Sequence, residues 1–413
     1  MLQLSKRFGN LDSSGNDSVK RWKKIALSLL VLLVLSQIPF IYRRIQIARL
    51  SDRILSLSKT RIAAESPDYK DLAGVIHVHT SLGGHSNATL EELLEGSKGL
   101  DFVVITEHTA NVVDSAALTL NGLHEGILFV GGNELDTASS DRLLLIPGTR
   151  EAFLKRMTVT PLFLPEFQKQ GRLAFVTYPD RFTSWDSPYD GMEVFNLNSS
   201  MRSVRRIPFI FDTLWAYGSY PELALVKHLS RPDENLRKYD EAAKTRSIPL
   251  FAGSDAHSNI GVHFFSDDAG HKLLHFKFDD FAMIFRVVRT HVLLESGKEL
   301  TQETLLNALR MGHCFIGFDV LGDTRGFSFT AGQKIQGDEV QFSAGMSLEV
   351  HVPLPSRISV LKDGKEAGGA AASSKLRFSP QERGTYRVEV YLDSLGAPFN
   401  RLPWIISNPI YVR

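Results

Sequence analysis

The chain has 413 residues, 47 Lys and Arg against 46 Asp and Glu, 13 histidines and one cysteine. That length exceeds one ordinary core and implies two folded domains beside any anchor, while 43% hydrophobic and 23% charged residues exclude a disordered or multi-span chain. A formal net charge of +1 removes the positive field that gathers phosphate backbones, so no nucleic acid is expected as partner; Cys314 alone makes neither an internal disulfide nor a thiolate metal cage.

Residues 1–24 form a basic tail, and from Ile25 to Tyr42 the chain carries no charge. As a helix this run spans about 27 Å, the lower edge of a bilayer's hydrocarbon core. Trp22 and Tyr42 bracket it, as aromatic residues do at the two interfaces. Ser36-Gln37-Ile38-Pro39-Phe40 offers no clear small-x-small cleavage site, so an uncleaved anchor over 25–42 is expected. Lys6, Arg7, Lys20, Arg21, Lys23 and Lys24 precede the span, and Arg43, Arg44, Arg49, Arg53, Lys59 and Arg61 follow it, a tie under the positive-inside rule. The short polar tail points to a single-pass protein with its domains outside the cytoplasm. Ile47, Leu50, Ile54 and Leu57 then mark a stalk helix near the membrane within 43–66, and Arg61 ends their seam.

Between 67 and 325, short apolar strands alternate with amphipathic helices: Val75-Ile76, Phe102–Ile105, Ile127–Val130, Leu173–Val176, Met192–Phe195 and Ile248–Phe251. Thr89 and Glu92 make a capping-box pattern for a helix that Gly99 closes. Such alternation predicts a parallel α/β sheet or barrel. From 326 to 413 the texture changes. Leu348–Val352, Lys375–Phe378 and Tyr386–Tyr391 alternate with period two between the turns Asp363-Gly364 and Gly368-Gly369-Ala370, predicting a small all-β, sandwich-like domain.

Chemistry-bearing residues gather just after the α/β strands. The first strand runs into His77-Val78-His79-Thr80, with His85 beyond; the second ends in Thr106-Glu107-His108, the third leads to Glu134, and the sixth to Gly253-Ser254-Asp255-Ala256-His257. Strand alternation places His77 and His79 on one side. Repetition at four strand ends puts His77, His79, His85, His108, Glu134, Asp255 and His257 around one mouth, a metal-ligating set.

These motifs, in this order, resemble the PHP (polymerase and histidinol phosphatase) superfamily of metallohydrolases over roughly residues 71–320. The resemblance extends to its membrane-anchored or secreted branch similar to carbaryl hydrolase. It implies a distorted (β/α)7 TIM-like barrel, with His77, His79, Glu134 and Asp255 on one ion, His85, His108 and His257 on another, and Glu134 able to bridge. Three-metal members have a histidine where this chain reads Ser140-Asp141-Arg142-Leu143-Leu144, and Ala-His-Pro where it has Thr177-Tyr178-Pro179. One or two divalent ions are therefore expected, not three. Nitrogen and carboxylate ligands suit Zn, Mn or Fe.

The expected reaction is hydrolysis of a small-molecule phosphoester by a metal-bound hydroxide. Asp255 orients the nucleophile, Glu134 takes part, and His257 or Tyr178 protonates the leaving group. Arg142 supplies positive charge where an ion is missing, and Arg231, on a helix carrying Lys227–Arg231, reaches phosphate. Carbamate or carboxylic ester hydrolysis on the same fold is the alternative. A reading of another class is a membrane-tethered binding module without turnover. His351 reads as a surface residue of an alternating strand and His313 as the end of a helix, where a cationic side chain is favoured; His263, His271, His275 and His291 lack ligand spacing.

Overall fold

The computed structural model describes residues 13–62, 68–266 and 272–413. Lys6, Arg7 and His271 lie outside the described residues, as do the side chains of His263 and His275.

Two helices open the chain, α1 (Ser13–Ser36) and α2 (Ile38–Ser58), separated by Gln37. Together they supply one helical stretch, Val19–Ser58, long and apolar enough to cross a membrane, and none of its most apolar window is buried. The second half of α2 behaves differently. Ile47 and Leu50 are buried in the main core, with Ile54 and Leu57 packed against it. Arg53 Nη1 donates to the Leu395 carbonyl at 3.0 Å, so the stalk residues dock on the folded body.

The body is built from β1 (Tyr69–Val78), β2 (Phe102–His108), β3 (Gly122–His124), β4 (Ile127–Asp136), β5 (Arg142–Ile146), β6 (Leu173–Val176), β7 (Gly191–Asn196) and β8 (Leu250–Ala256). Strands β1, β2, β4, β5, β6, β7 and β8 close into a ring. Five contacts in it are parallel, but β5 runs antiparallel to both β4 and β6. This overturns the expected distorted (β/α)7 TIM-like barrel. Parallel neighbours need a crossover of about a dozen or more residues, whereas only residues 137–141 separate β4 from β5. The barrel is a mixed one, and β5 is the strand that periodicity missed.

A hairpin of β9 (Gly261–Ser266) and β10 (Lys272–Lys277) stands as its own two-stranded sheet. Next come β11 (Arg289–Glu295), antiparallel to the first half of β1, and β12 (Cys314–Gly317). The C-terminal strands are β13 (Ser328–Ala331), β14 (Lys334–Ile335), β15 (Glu339–Val340), β16 (Leu348–Lys362), β17 (Lys365–Phe378), β18 (Gly384–Tyr391), β19 (Ile405–Ser407) and β20 (Ile410–Val412). They do not form a separate sandwich. β12 pairs with β19, β19 with β18 and β18 with β16, so these strands continue the barrel's own hydrogen-bonded network. Asp363 and Gly364, both at positive φ, make the two-residue turn between β16 and β17. Gly368–Ala370, expected as a turn, instead lie within β17.

Polar contacts bind the C-terminal strands to the barrel. The Asn408 side-chain amide donates to the Leu250 and Cys314 carbonyls at 2.9 and 2.8 Å, and its oxygen accepts from Leu250 N at 2.7 Å. At β11, His291 is fully buried between Asp71 (2.7 Å) and Asp319 (3.2 Å). Burial opposes its charge, but the two carboxylates outweigh burial and raise its pKa to about 10. A pKa raised on folding contributes stability that is complete below the unfolded value of about 6.5 and is lost as pH rises through the folded one. Stability is therefore expected to fall between about pH 7 and pH 10, and His291→Leu to abolish that part of the slope, as read by urea midpoints across pH.

Candidate metal centre

The carboxyl ends of the parallel strands converge, which is where open and closed α/β sheets carry their sites. β1 carries His77 and leads directly to His79, β2 delivers His108, β4 delivers Glu134, β7 delivers Glu193 and β8 leads through Asp255 to His257. His108 stands opposite Glu134 in the β2–β4 register. His77 and His79 do share one side, but not through plain alternation. A bulge between Ile76 and Val78 shifts the register with both β2 and β8, and His77 sits there at φ 67°. Tyr178 at φ 53° and Asp255 at φ 50° occupy the same left-handed region. His and Asp enter that region more readily than Tyr does, so the backbone strain falls chiefly at Tyr178.

Glu134 lies at the centre. His77 Nε2 is 3.6 Å from its Oε1, and His79 Nε2 and His108 Nε2 are 3.3 and 3.2 Å from its Oε2. Asp255 Oδ1 is 3.6 Å from His77 Nε2 and 3.4 Å from His79 Nε2. The His77, His79, Glu134, Glu193 and Asp255 side chains are all buried. Yet the Nε2 of His77 and both ring nitrogens of His79 have no hydrogen-bond partner. Buried polar atoms left in this way carry a desolvation cost unless something satisfies them. One candidate ligand atom from each of His77, His79 and Asp255 lies within 4.8 Å of the others, and the same holds for His79, His108 and His257. Clustered carboxylates, orphaned nitrogens and converging donors fit a divalent ion. The residues form a buried His/Asp cluster able to hold one.

The neighbouring histidines keep the two central carboxylates ionised. Burial disfavours the Glu134 carboxylate, but His77 and His79 outweigh it and hold its pKa down to about 2. Asp255 is likewise pulled below the ordinary carboxylate range against burial, chiefly by His77. Burial lowers His108 to about 4 despite Glu134, leaving a neutral imidazole with a free lone pair.

Several residues orient this set. Glu193 Oε1 lies 2.7 Å from His77 Nδ1, the carboxylate–histidine arrangement that fixes a ligand's tautomer. Thr177 Oγ1 and Asn196 Nδ2 donate to the other Glu193 oxygen. Gly253 makes room for this contact, since a Cβ there would stand 1.5 Å from Glu193 Oε1. Tyr178 OH donates to Asp255 Oδ2 at 2.7 Å, and Asn196 Nδ2 does so at 3.3 Å. Burial, then Asp255, raises the Tyr178 pKa above that of an ordinary phenol, so it keeps the proton it donates. Asn198 reaches the Asp255 carbonyl and His257 Nδ1. Glu193 was legible only as part of the apolar strand Met192–Phe195, and Asn196 lies just beyond that stretch. The available signal was a glutamate inside a run that is otherwise wholly buried, since such a charge needs a partner. Glu193→Gln is expected to weaken divalent-metal affinity by roughly 10- to 100-fold with the fold retained, measured by metal titration beside far-ultraviolet circular dichroism.

The remaining sequence candidates separate. Arg142 Nη1 is 3.5 Å from Glu134, while Nε and Nη2 hold Asp136 at 2.7 and 2.8 Å, and its guanidinium lies over the Tyr178 ring. His85 is exposed, its ring 4.4 Å from that of His108. Arg231 is not brought to this cluster. Residues 227–231 follow the helix Pro221–Val226 instead of lying in one, and the Arg231 guanidinium is engaged by Glu389 and Asp233.

No protein-family model matches the chain, and no curated protein matches it. Two solved structures are similar in part. PsfC from Pseudomonas syringae PB-5123 is 12% identical, with a TM-score of 0.36 over 57% of this chain and 88% of that one. The lesion-specific endonuclease PfuEndoQ from Pyrococcus furiosus is 14% identical, with a TM-score of 0.32 over 58% of this chain and 56% of that one. At such TM-scores neither likeness bears on the chemistry of this site, and the feature that defines it is the chain's own buried cluster of histidines and carboxylates.

Proposed function

We propose that this chain is a membrane-anchored, metal-dependent hydrolase acting on phosphoric esters. The observation that carries the reading is the buried cluster in which the ring nitrogens of His77 and His79 lack hydrogen-bond partners beside Glu134 and Asp255. His77, His79 and Asp255 would hold one ion, and His108 and His257, with Glu134 between, a second; His85 stands at the open edge. When bound, the ion supplies a Lewis acid that makes water nucleophilic at neutral pH and stabilises developing negative charge. The protein's own groups do the rest. Glu193 fixes the His77 ring, and Tyr178 and Asn196 hold one Asp255 oxygen so that the other faces the cluster. Arg142 presents Nη1 at the cluster's edge, a fixed cation suited to an anionic ester. His257 is half-buried beside His79, their rings stacked 4.5 Å apart. Its Nδ1 donates to the Asp255 carbonyl at 2.8 Å, which leaves Nε2 as the atom a second ion would take.

Metal analysis of the detergent-solubilised full chain, followed by a model phosphomonoester and a naphthyl ester on the same sample, tests this reading. Bound divalent metal with phosphomonoester turnover supports it. Turnover of the naphthyl ester alone transfers the assignment to carboxylic or carbamic esters. Bound metal without turnover of either leaves a tethered binding module, and a chain that takes up no divalent ion has no such centre.

A further inference from the structure

We infer that the segment around the helix Arg206–Thr213 is a second membrane contact, seated in the headgroup region of the bilayer at the foot of the anchor. The inference rests on the anchored reading and adds a surface to it. The helix turns Ile207, Ile210 and Phe211 outward, and Leu214 and Trp215 follow directly; Ile207 is 71% exposed, Leu214 60% and Trp215 46%. A soluble surface scatters single apolar residues, whereas a run of five on one short element marks an interaction face.

What covers this face is indicated by what it touches. The Phe211 ring stacks on Phe40 with centroids 5.2 Å apart and planes 8° from parallel. Trp215 Nε1 donates to Gln37 Oε1 at 3.1 Å, and Arg43 closes the contact with Asp212 at 2.8 Å. Gln37 and Phe40 belong to the uncharged run 25–42, and Arg43 is the first charge after it. The helix is therefore held at the level where the anchor leaves lipid. Ile38 and Ile41, chain neighbours of Gln37 and Phe40 on α2, are exposed as well. Aromatic residues favour that level, and short amphipathic helices bury one face there with cations toward the phosphates. Arg202 and Arg205, both exposed, precede the helix and supply such cations. The same stretch of chain begins at Asn196, which donates to Asp255, so lipid contact and candidate metal centre lie on one continuous segment.

The test uses the full chain reconstituted into phosphatidylcholine–phosphatidylglycerol vesicles, with an environment-sensitive fluorophore on Ile207→Cys or Leu214→Cys. Leu30→Cys in the anchor and Leu123→Cys on the exposed edge strand β3 serve as references. Cys314 is buried. Doxyl-labelled lipid is expected to quench the 207 and 214 labels severalfold more than the 123 label, while aqueous iodide quenches them less. Iodide quenching equal to that at 123 would overturn the proposal. Protection from both quenchers would overturn it too, since protein, a second copy included, then covers the face. If the label at 30 is itself not quenched by lipid, the anchored reading fails and the proposal falls with it; quenching at 30 without quenching at 207 and 214 sinks the second contact alone.

Discussion

Asp255→Asn is expected to reduce hydrolysis by at least about 10³-fold, a loss of roughly 4 kcal/mol of transition-state stabilisation, with the fold retained. Asparagine is nearly the same shape, and like aspartate it tolerates the left-handed backbone that position 255 adopts at φ 50°. What it removes is the negative charge that faces His77 and His79 at 3.6 and 3.4 Å. The Tyr178 hydroxyl and the Asn198 contact to the backbone carbonyl remain to hold the loop. Bound metal, measured on the same sample, should fall in parallel. A variant that keeps its circular dichroism and its full hydrolysis would show that this cluster is not the seat of the reaction. Loss of turnover with the fold intact would exclude the binding-module reading.

Asp240→Ala is expected to cost about 3–5 kcal/mol of stability, because it leaves a buried cation short of its partner. Arg387 is fully buried and forked onto Asp240, with Nε to Oδ1 at 2.7 Å and Nη2 to Oδ2 at 2.8 Å. Its remaining nitrogen shares Glu389 with Arg231, whose Nη2 is 2.6 Å from the same carboxylate. Without Asp240, two guanidinium groups would divide one buried carboxylate. Asp240 comes from the helix Asp233–Ala243 beside the barrel and Arg387 from β18, so the pair joins barrel to C-terminal strands. A drop in Tm on the order of 10 °C by calorimetry is the expected readout. Asp233→Ala, which removes only the exposed partner of Arg231, should shift it little.

Much of the centre was legible because its ligands sit in short motifs at strand ends. His77-x-His79, Thr106-Glu107-His108, Glu134 and Asp255-x-His257 are brought together around one mouth, since parallel neighbours align their carboxyl ends. The capping box at Thr89 and Glu92 is present as read, because a helix start is decided within one turn. Glu193 escaped notice because its role depends on contact with a strand far away in sequence, through the space left by Gly253. Arg231 misled for the same reason: a surface guanidinium and one forked onto Glu389 look alike until β18 is placed.

The amino-acid sequence by itself determined the apolar helix, the order of short buried strands, and the residue types from which a metal centre could be made. Those properties are local, set by composition, period and caps. The tertiary structure alone decided that β5 returns antiparallel and makes the barrel a mixed one, and that the C-terminal strands extend its sheet through β12 and β19. It also decided that α2 lies against the body instead of standing free. Strand direction and pairing are choices among distant partners, resolved by loop length, burial and the satisfaction of backbone hydrogen bonds, and none of these is written in one stretch of chain.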